Sequence, residues 1–286
     1  MSARRIIRIF FGILLLAALV YYFWTVLPNA PASGSFGKAP AETPEASSAV
    51  VVVDPQASAD VTVTVETVTP EPTPEPTVDP NSPAARAAAL GLPAPPDIDV
   101  TSWEFILANE THNIEEYAPP ELVTLTSQLS VELDSRIAEA MTAFVEATKA
   151  EGLGVCLSSG YRDYQTQKQN YEVKCREYPP DGKDSQGHWI VLPPGTSEHQ
   201  TGLCCDITDQ YYRYKNRELE NTATFQFMLQ HCHEYGFILR YPDGREDVTG
   251  VMYEPWHFRY VGVEAATYIM ENGLCLEEFL ALYGVE

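Results

Sequence analysis

His199 stands seven residues before Asp206 in "HQTGLCCD", and Glu254 stands three before His257 in "EPWH". Imidazole and carboxylate donors of this kind hold zinc in hydrolytic sites, commonly three from the protein with one position left for water. Taken singly, each pair is more often a loop histidine with a strand-end aspartate, or core material beside Trp256 and Phe258. Together they amount to more. His199, Asp206 and His257 make an N, O, N ligand set, and Glu254 remains as a carboxylate to take a proton from the attacking water. Gly202 permits a tight turn between the first two ligands, and Ser197 brings a hydroxyl to the same mouth.

These side chains need elements that aim them. "LCCDIT" reads as a strand in which Asp206 and Cys204 share one face and Cys205 takes the other. In a regular strand Glu254 and His257 would face opposite ways, so their joint use requires a turn or bulge at Pro255. "DSRIAEAMTAFVEATKAEG" has apolar residues at helical spacing, with Asp134 as N-cap and Gly152 as stop. "GVCLSSGYR" reads as a strand entering a turn at Gly160, "DYQTQKQNYEVKCREY" as a helix and "TATFQFMLQHCHEYG" as another. "FILRY" and "EPWHFRYVG" supply further strands, and two helices close the chain. This irregular mixture predicts an α+β fold with a mainly antiparallel sheet flanked by helices. His231 and His233, two apart on a helix, diverge and are set aside, as are His188 and His112.

The remainder of the chain sets the context. Arg4, Arg5 and Arg8 precede an uncharged run from Ile9 to Leu27, long enough to cross a bilayer. Its terminal "YYFW" favours a retained anchor at 1–27 with the N-terminus in the cytoplasm and the rest outside. A signal peptide cleaved near "APA" at 30–32, giving a secreted protein, is the alternative. Residues 28–100 are rich in Pro, Ala, Ser, Thr and Val, with "TPEPTPEPTVDP" within them, and read as a solvated spacer. The folded domain is expected over 101–286. A net charge of −22 argues against nucleic acid as a partner. The six cysteines at 156, 175, 204, 205, 232 and 275 are in a segment where disulfides are permitted, with fifteen possible pairings. A monomer is expected.

"SSGYRDYQTQ", "TSEHQTGLCCDIT" and "GFILRYPDGREDVTGVMYEPWHFRYVG" resemble, in order, the VanY-type D-alanyl-D-alanine carboxypeptidases, zinc peptidases of bacterial cell walls. The resemblance covers nearly all of 101–286. It implies zinc held by His199, Asp206 and His257, with Glu254 as general base and then general acid. It also implies that Arg162 steadies the oxyanion and that Ser197 and Gln167 bind the peptide end. The expected activity is removal of the terminal D-alanine from peptidoglycan stem peptides. Two readings stay open beside it: an L,D-carboxypeptidase acting on tetrapeptide stems, and a non-catalytic wall-binding module. The double cysteine at 204 and 205 departs from the small or aliphatic residues usual there.

Overall fold

The computed structural model describes residues 79 to 285. The expected anchor and the spacer up to residue 78 lie outside them. Among the described residues no helix is long and apolar enough to cross a membrane.

Folded chain begins earlier than composition implies. Helix α1 (Pro83–Ala89) starts from Ser82, whose hydroxyl accepts from the Ala85 amide, with proline at a first-turn position where its missing N–H costs nothing. Ala87 is fully buried in a cluster with Ala265, Ile269, Leu276 and Phe279. The carbonyls of Pro93 and Pro96 accept hydrogen bonds from the hydroxyls of Tyr268 and Tyr283. Residues 83–100, read from composition as spacer, therefore pack on the domain. Alanine and proline suffice there because the C-terminal helices supply the apolar bulk.

A hairpin of β1 (Leu122–Thr126) and β2 (Ser130–Asp134), absent from the sequence expectations, comes next. Asp134 accepts from the Arg136 amide, and a 3₁₀ turn leads into α2 (Ala138–Ala150). The stripe expected on α2 is buried: Met141, Phe144, Val145 and Thr148. Strand β3 (Val155–Ser159) precedes α3 (Tyr164–Glu177), capped by Asp163. Then follow β4 (Cys204–Asp209), α4 (Ala223–His231), β5 (Phe237–Leu239), the short α5 (Glu246–Thr249), β6 (His257–Tyr260), α6 (Val263–Asn272) and α7 (Leu276–Leu282).

The main sheet is four-stranded in the order β3-β4-β6-β5, and every pair is antiparallel. The α+β expectation thus holds. Register is what matters for the site. Asp206 lies opposite His257, Cys204 opposite Arg259 and Cys205 opposite Phe258. Directly opposed residues of an antiparallel pair point to one face. One face therefore presents Asp206, His257, Cys204 and Arg259, and the other presents Cys205 and Phe258. The apolar face packs on α2, where Phe144 stacks with Phe237 and meets Phe258 edge-on. Such fully buried aromatic side chains contribute about 1.5–3 kcal/mol each and hold the sheet rigid behind the polar face.

Candidate metal centre

His199 is carried by a 3₁₀ turn, Glu198–Thr201, that ends at Gly202 in the left-handed region (φ +69°). A Cβ at Gly202 would come within 2.9 Å of the Asp134 amide nitrogen, so the turn requires glycine for both its conformation and its closeness to the hairpin. The ring orientation is set from the other side. His199 Nδ1 lies 2.7 Å from the Gly160 carbonyl oxygen. A carbonyl only accepts, so Nδ1 carries the proton and Nε2 presents its lone pair to the centre. The His199 carbonyl in turn accepts from the Arg162 amide at 3.0 Å, which ties the two loops to each other.

Asp206 Oδ1 lies 3.3 Å from His199 Nε2 and 3.1 Å from His257 Nδ1. Ligand bonds of about 2.0–2.2 Å in a tetrahedral zinc site separate neighbouring donors by roughly 3.3 Å. The three residues fit such an ion. Asp206 Oδ1 and both ring nitrogens of His257 are moreover buried without a hydrogen-bond partner, which a buried polar atom tolerates only when something else satisfies it. Lys215 Nζ, 2.6 Å from Asp206 Oδ2, holds the outer carboxylate oxygen and leaves Oδ1 inward.

The expected turn at Pro255 is present: the His257 amide donates to the Glu254 carbonyl at 3.1 Å. It folds the chain so that Glu254 Oε2 comes 3.5 Å from His257 Nδ1. Burial lifts the Glu254 carboxyl to about 7, with Asp206 adding to the rise and His257 and His199 opposing it. Asp206 behaves in the opposite way. Burial works against its charge, but His199 and Lys215 hold its carboxyl well below the usual range.

Arg162 reaches the same cavity, of about 540 Å³, which Ser197, Tyr241 and Trp256 also line. Its guanidinium donates to Gln167 Oε1 at 2.5 Å and to Ser159 Oγ at 3.2 Å, rather than pairing with Asp163 or Glu172. Gln167 is 1% exposed and its amide donates to the Leu192 carbonyl. Gln167 is thus engaged at both ends of its amide, in fixing Arg162. The remaining histidines are elsewhere: His188 pairs with Asp184, and His231 with Glu234.

Two residues at the centre carry more than the sequence reading gave them. Glu198 is fully buried between Arg240 and Arg259, 2.7 and 2.8 Å from its Oε1, while its Oε2 lies 3.6 Å from His257 Nε2. Its free oxygen stands behind the second imidazole, on the side where outer carboxylates support metal-binding histidines, but beyond hydrogen-bond distance. The signal for it was the alternation of "ILRY" and "HFRY", which places two arginines in neighbouring strands with one acid to meet them. Cys204 is the other. All six cysteines carry free thiols, and one donor atom from each of His199, Cys204 and His257 lies within 4.8 Å of the others.

Comparison with known proteins gives a consistent picture. A family model described as VanY, D-alanyl-D-alanine carboxypeptidase, matches residues 130–263. A D-alanyl-D-alanine carboxypeptidase of Enterococcus faecalis (strain ATCC 700802 / V583) is 36% identical over 188 residues, 64% of this chain and 67% of that protein. Among solved structures, the LD-carboxypeptidase LdcB superposes with a TM-score of 0.55 at 33% identity, covering 63% of this chain and 87% of that one. A mutant of the vancomycin-resistance D,D-pentapeptidase VanY, solved with Zn(II), gives 0.53 at 35% identity, covering 63% and 99%.

Proposed function

Because this chain belongs to the VanY family of D-alanyl-D-alanine carboxypeptidases, we propose that its polar sheet face removes the terminal D-alanine from peptidoglycan stem peptides, with His199, Asp206 and His257 as zinc ligands. The observation that carries the residue assignment is the approach of one Asp206 carboxylate oxygen to a ring nitrogen of each histidine, with Glu254 beside them. Zinc, when bound, supplies a Lewis acid and makes water a nucleophile at neutral pH. Its requirement for zinc follows the family, a member of which is solved with Zn(II).

The side chains divide the remaining work. Glu254, with a carboxyl lifted to about 7, is matched to accept a proton from the attacking water and return it to the departing amine. Arg162 is held by Gln167 and Ser159 with its guanidinium toward the cavity, and it steadies the negative charge that develops on the scissile carbonyl oxygen. Preorganisation is the point of those two contacts, since a guanidinium already in place costs no reordering when the charge appears. Gln167 acts through Arg162, and Ser197, buried at the cavity wall, is placed to meet the peptide end.

The relative LdcB acts as an LD-carboxypeptidase, so the L,D reading is the second outcome of one experiment. The full chain is incubated with stem pentapeptide and tetrapeptide, with and without a chelator, and released D-alanine is measured. Chelator-sensitive release from the pentapeptide is expected; release from the tetrapeptide alone transfers the assignment to L,D activity. The run from Ile9 to Leu27 supports a single-pass anchor with the catalytic domain outside the membrane. Retention of the chain in membranes washed at alkaline pH tests it against a cleaved signal.

A further inference from the structure

We propose that Cys204 is a fourth protein ligand of this centre, so that the metal is held by two imidazoles, a carboxylate and a thiolate. The inference rests on the zinc reading above and extends it to a residue that the three-ligand set does not use.

Three observations place the thiol there. Strand periodicity and register put Cys204 on the face shared with Asp206 and His257, while Cys205 turns into the apolar core. One donor atom of Cys204 lies within 4.8 Å of those of His199 and His257. The same sheet face carries Asp206 Oδ1 and both ring nitrogens of His257, all buried and lacking hydrogen-bond partners. A thiolate bond of about 2.3 Å beside imidazole bonds of about 2.0–2.1 Å asks for donors roughly 3.5 Å apart.

The chemical consequence follows from the donor types. Ligation costs the thiol its proton, which passes to solvent, and it adds a soft donor to a set of harder ones. Such a set selects zinc over magnesium, calcium or manganese. Four protein ligands are the mark of a closed site, whereas hydrolytic sites keep a position open. Cys204 therefore acts as a restraining ligand. With the metal bound, the attacking water would need a fifth position or the one the thiolate gives up, and the centre of this chain would differ in that respect from a three-ligand site.

Cobalt(II) loaded into the full chain in place of zinc reports this directly. A thiolate ligand gives an intense near-ultraviolet sulfur-to-cobalt charge-transfer band, which nitrogen and oxygen donors do not. We expect the band in the wild type and in Cys205→Ala, and its loss in Cys204→Ser and Cys204→Ala. Zinc affinity should fall in the Cys204 variants by at least the 10–100-fold that loss of an outer-shell partner typically costs. Should those variants fail to fold, X-ray absorption of the zinc-loaded wild type decides alone, through a sulfur neighbour at about 2.3 Å. Bound cobalt without the band, a band that survives Cys204→Ser, or a zinc shell of nitrogen and oxygen only would overturn the proposal. If chelator-sensitive release of D-alanine persists in that case, the catalytic reading stands and only the fourth ligand falls. A wild type that binds neither metal removes both.

Discussion

Glu254 and Asp206 are carboxylates within reach of the same imidazole, and their surroundings drive them apart. Asp206 is held ionised by His199 and Lys215, whereas Glu254 is lifted to about 7 by burial and by Asp206 itself. Such a separation suits the proposed roles, with one acid kept ionised as a ligand and the other able to carry a proton. Glu254→Gln keeps the shape and removes the proton acceptor, so turnover should fall by about 10²–10⁴-fold while zinc content stays at the wild-type level. Loss of zinc together with activity would make Glu254 a ligand instead. Arg162 gives a second prediction at this scale. Lysine lacks the planar fork whose two nitrogens reach Gln167 and Ser159 separately, so Arg162→Lys should lose about 10²-fold in kcat with little change in zinc content. The candidate ligands were legible in the sequence as a combination, because either pair alone is more often structural and only the two together suggest a metal. Gln167 was legible as part of the site but not in its task, because a side chain engaged with Arg162 and the Leu192 carbonyl and one free to meet substrate look alike in sequence.

What turns separate residues into a site is the pairing of β4 with β6, which brings Asp206 opposite His257, together with two loops that deliver His199 and Glu254. Gly160 is the hinge of this assembly. Its carbonyl fixes the His199 ring, and a Cβ at this position would collide with the Glu132 carbonyl oxygen of β2. Gly160→Ala must therefore push either the hairpin or the loop. Thermal unfolding should show a loss of about 1–3 kcal/mol, the cost of overpacking, and zinc affinity should fall because His199 moves with the loop. A variant with reduced stability but unaltered zinc affinity would detach Gly160 from the metal centre. The helices and central strands were readable from periodicity and capping: the buried stripe on α2 and the cap at Asp134 are where the sequence places them. The β1-β2 hairpin was not readable, because its strands are half exposed and "LVTLT" and "SVELD" lack a strong turn pair between them. Helix α1 escaped for a related reason: its alanines bury little of their own, and only the cluster they join reveals them.

Across the whole domain the site is tied to the segment at 104–106 and to the last helix by one buried charge network. Arg259 donates to the Glu104 and Ile106 carbonyls near the domain entrance, and it shares Glu198 Oε1 with Arg240. Arg240 in turn makes two hydrogen bonds with Glu277 on α7, at 2.8 and 2.6 Å. Two fully buried guanidiniums thus face one fully buried carboxylate, and Glu277 supplies the second negative charge. Glu277→Gln leaves an uncompensated cation beside Glu198, and at neutral pH it should cost about 3–5 kcal/mol. The pH dependence separates this charge effect from lost packing. Burial resists ionisation of Glu277, but Arg240 prevails and holds its carboxyl below the ordinary 4.5. A folded-state value below the unfolded one means that the stabilisation is fully present above about pH 4.5 and fades as pH falls through the folded value. Thermal midpoints of the wild type and Glu277→Gln, measured in chelator from about pH 7 to pH 3 so that metal loss does not intrude, should therefore be far apart at neutral pH and converge in acid. Curves that stay parallel over that range would mean that the glutamate matters for its shape rather than its charge, and that Arg240 is neutralised by Glu198 alone.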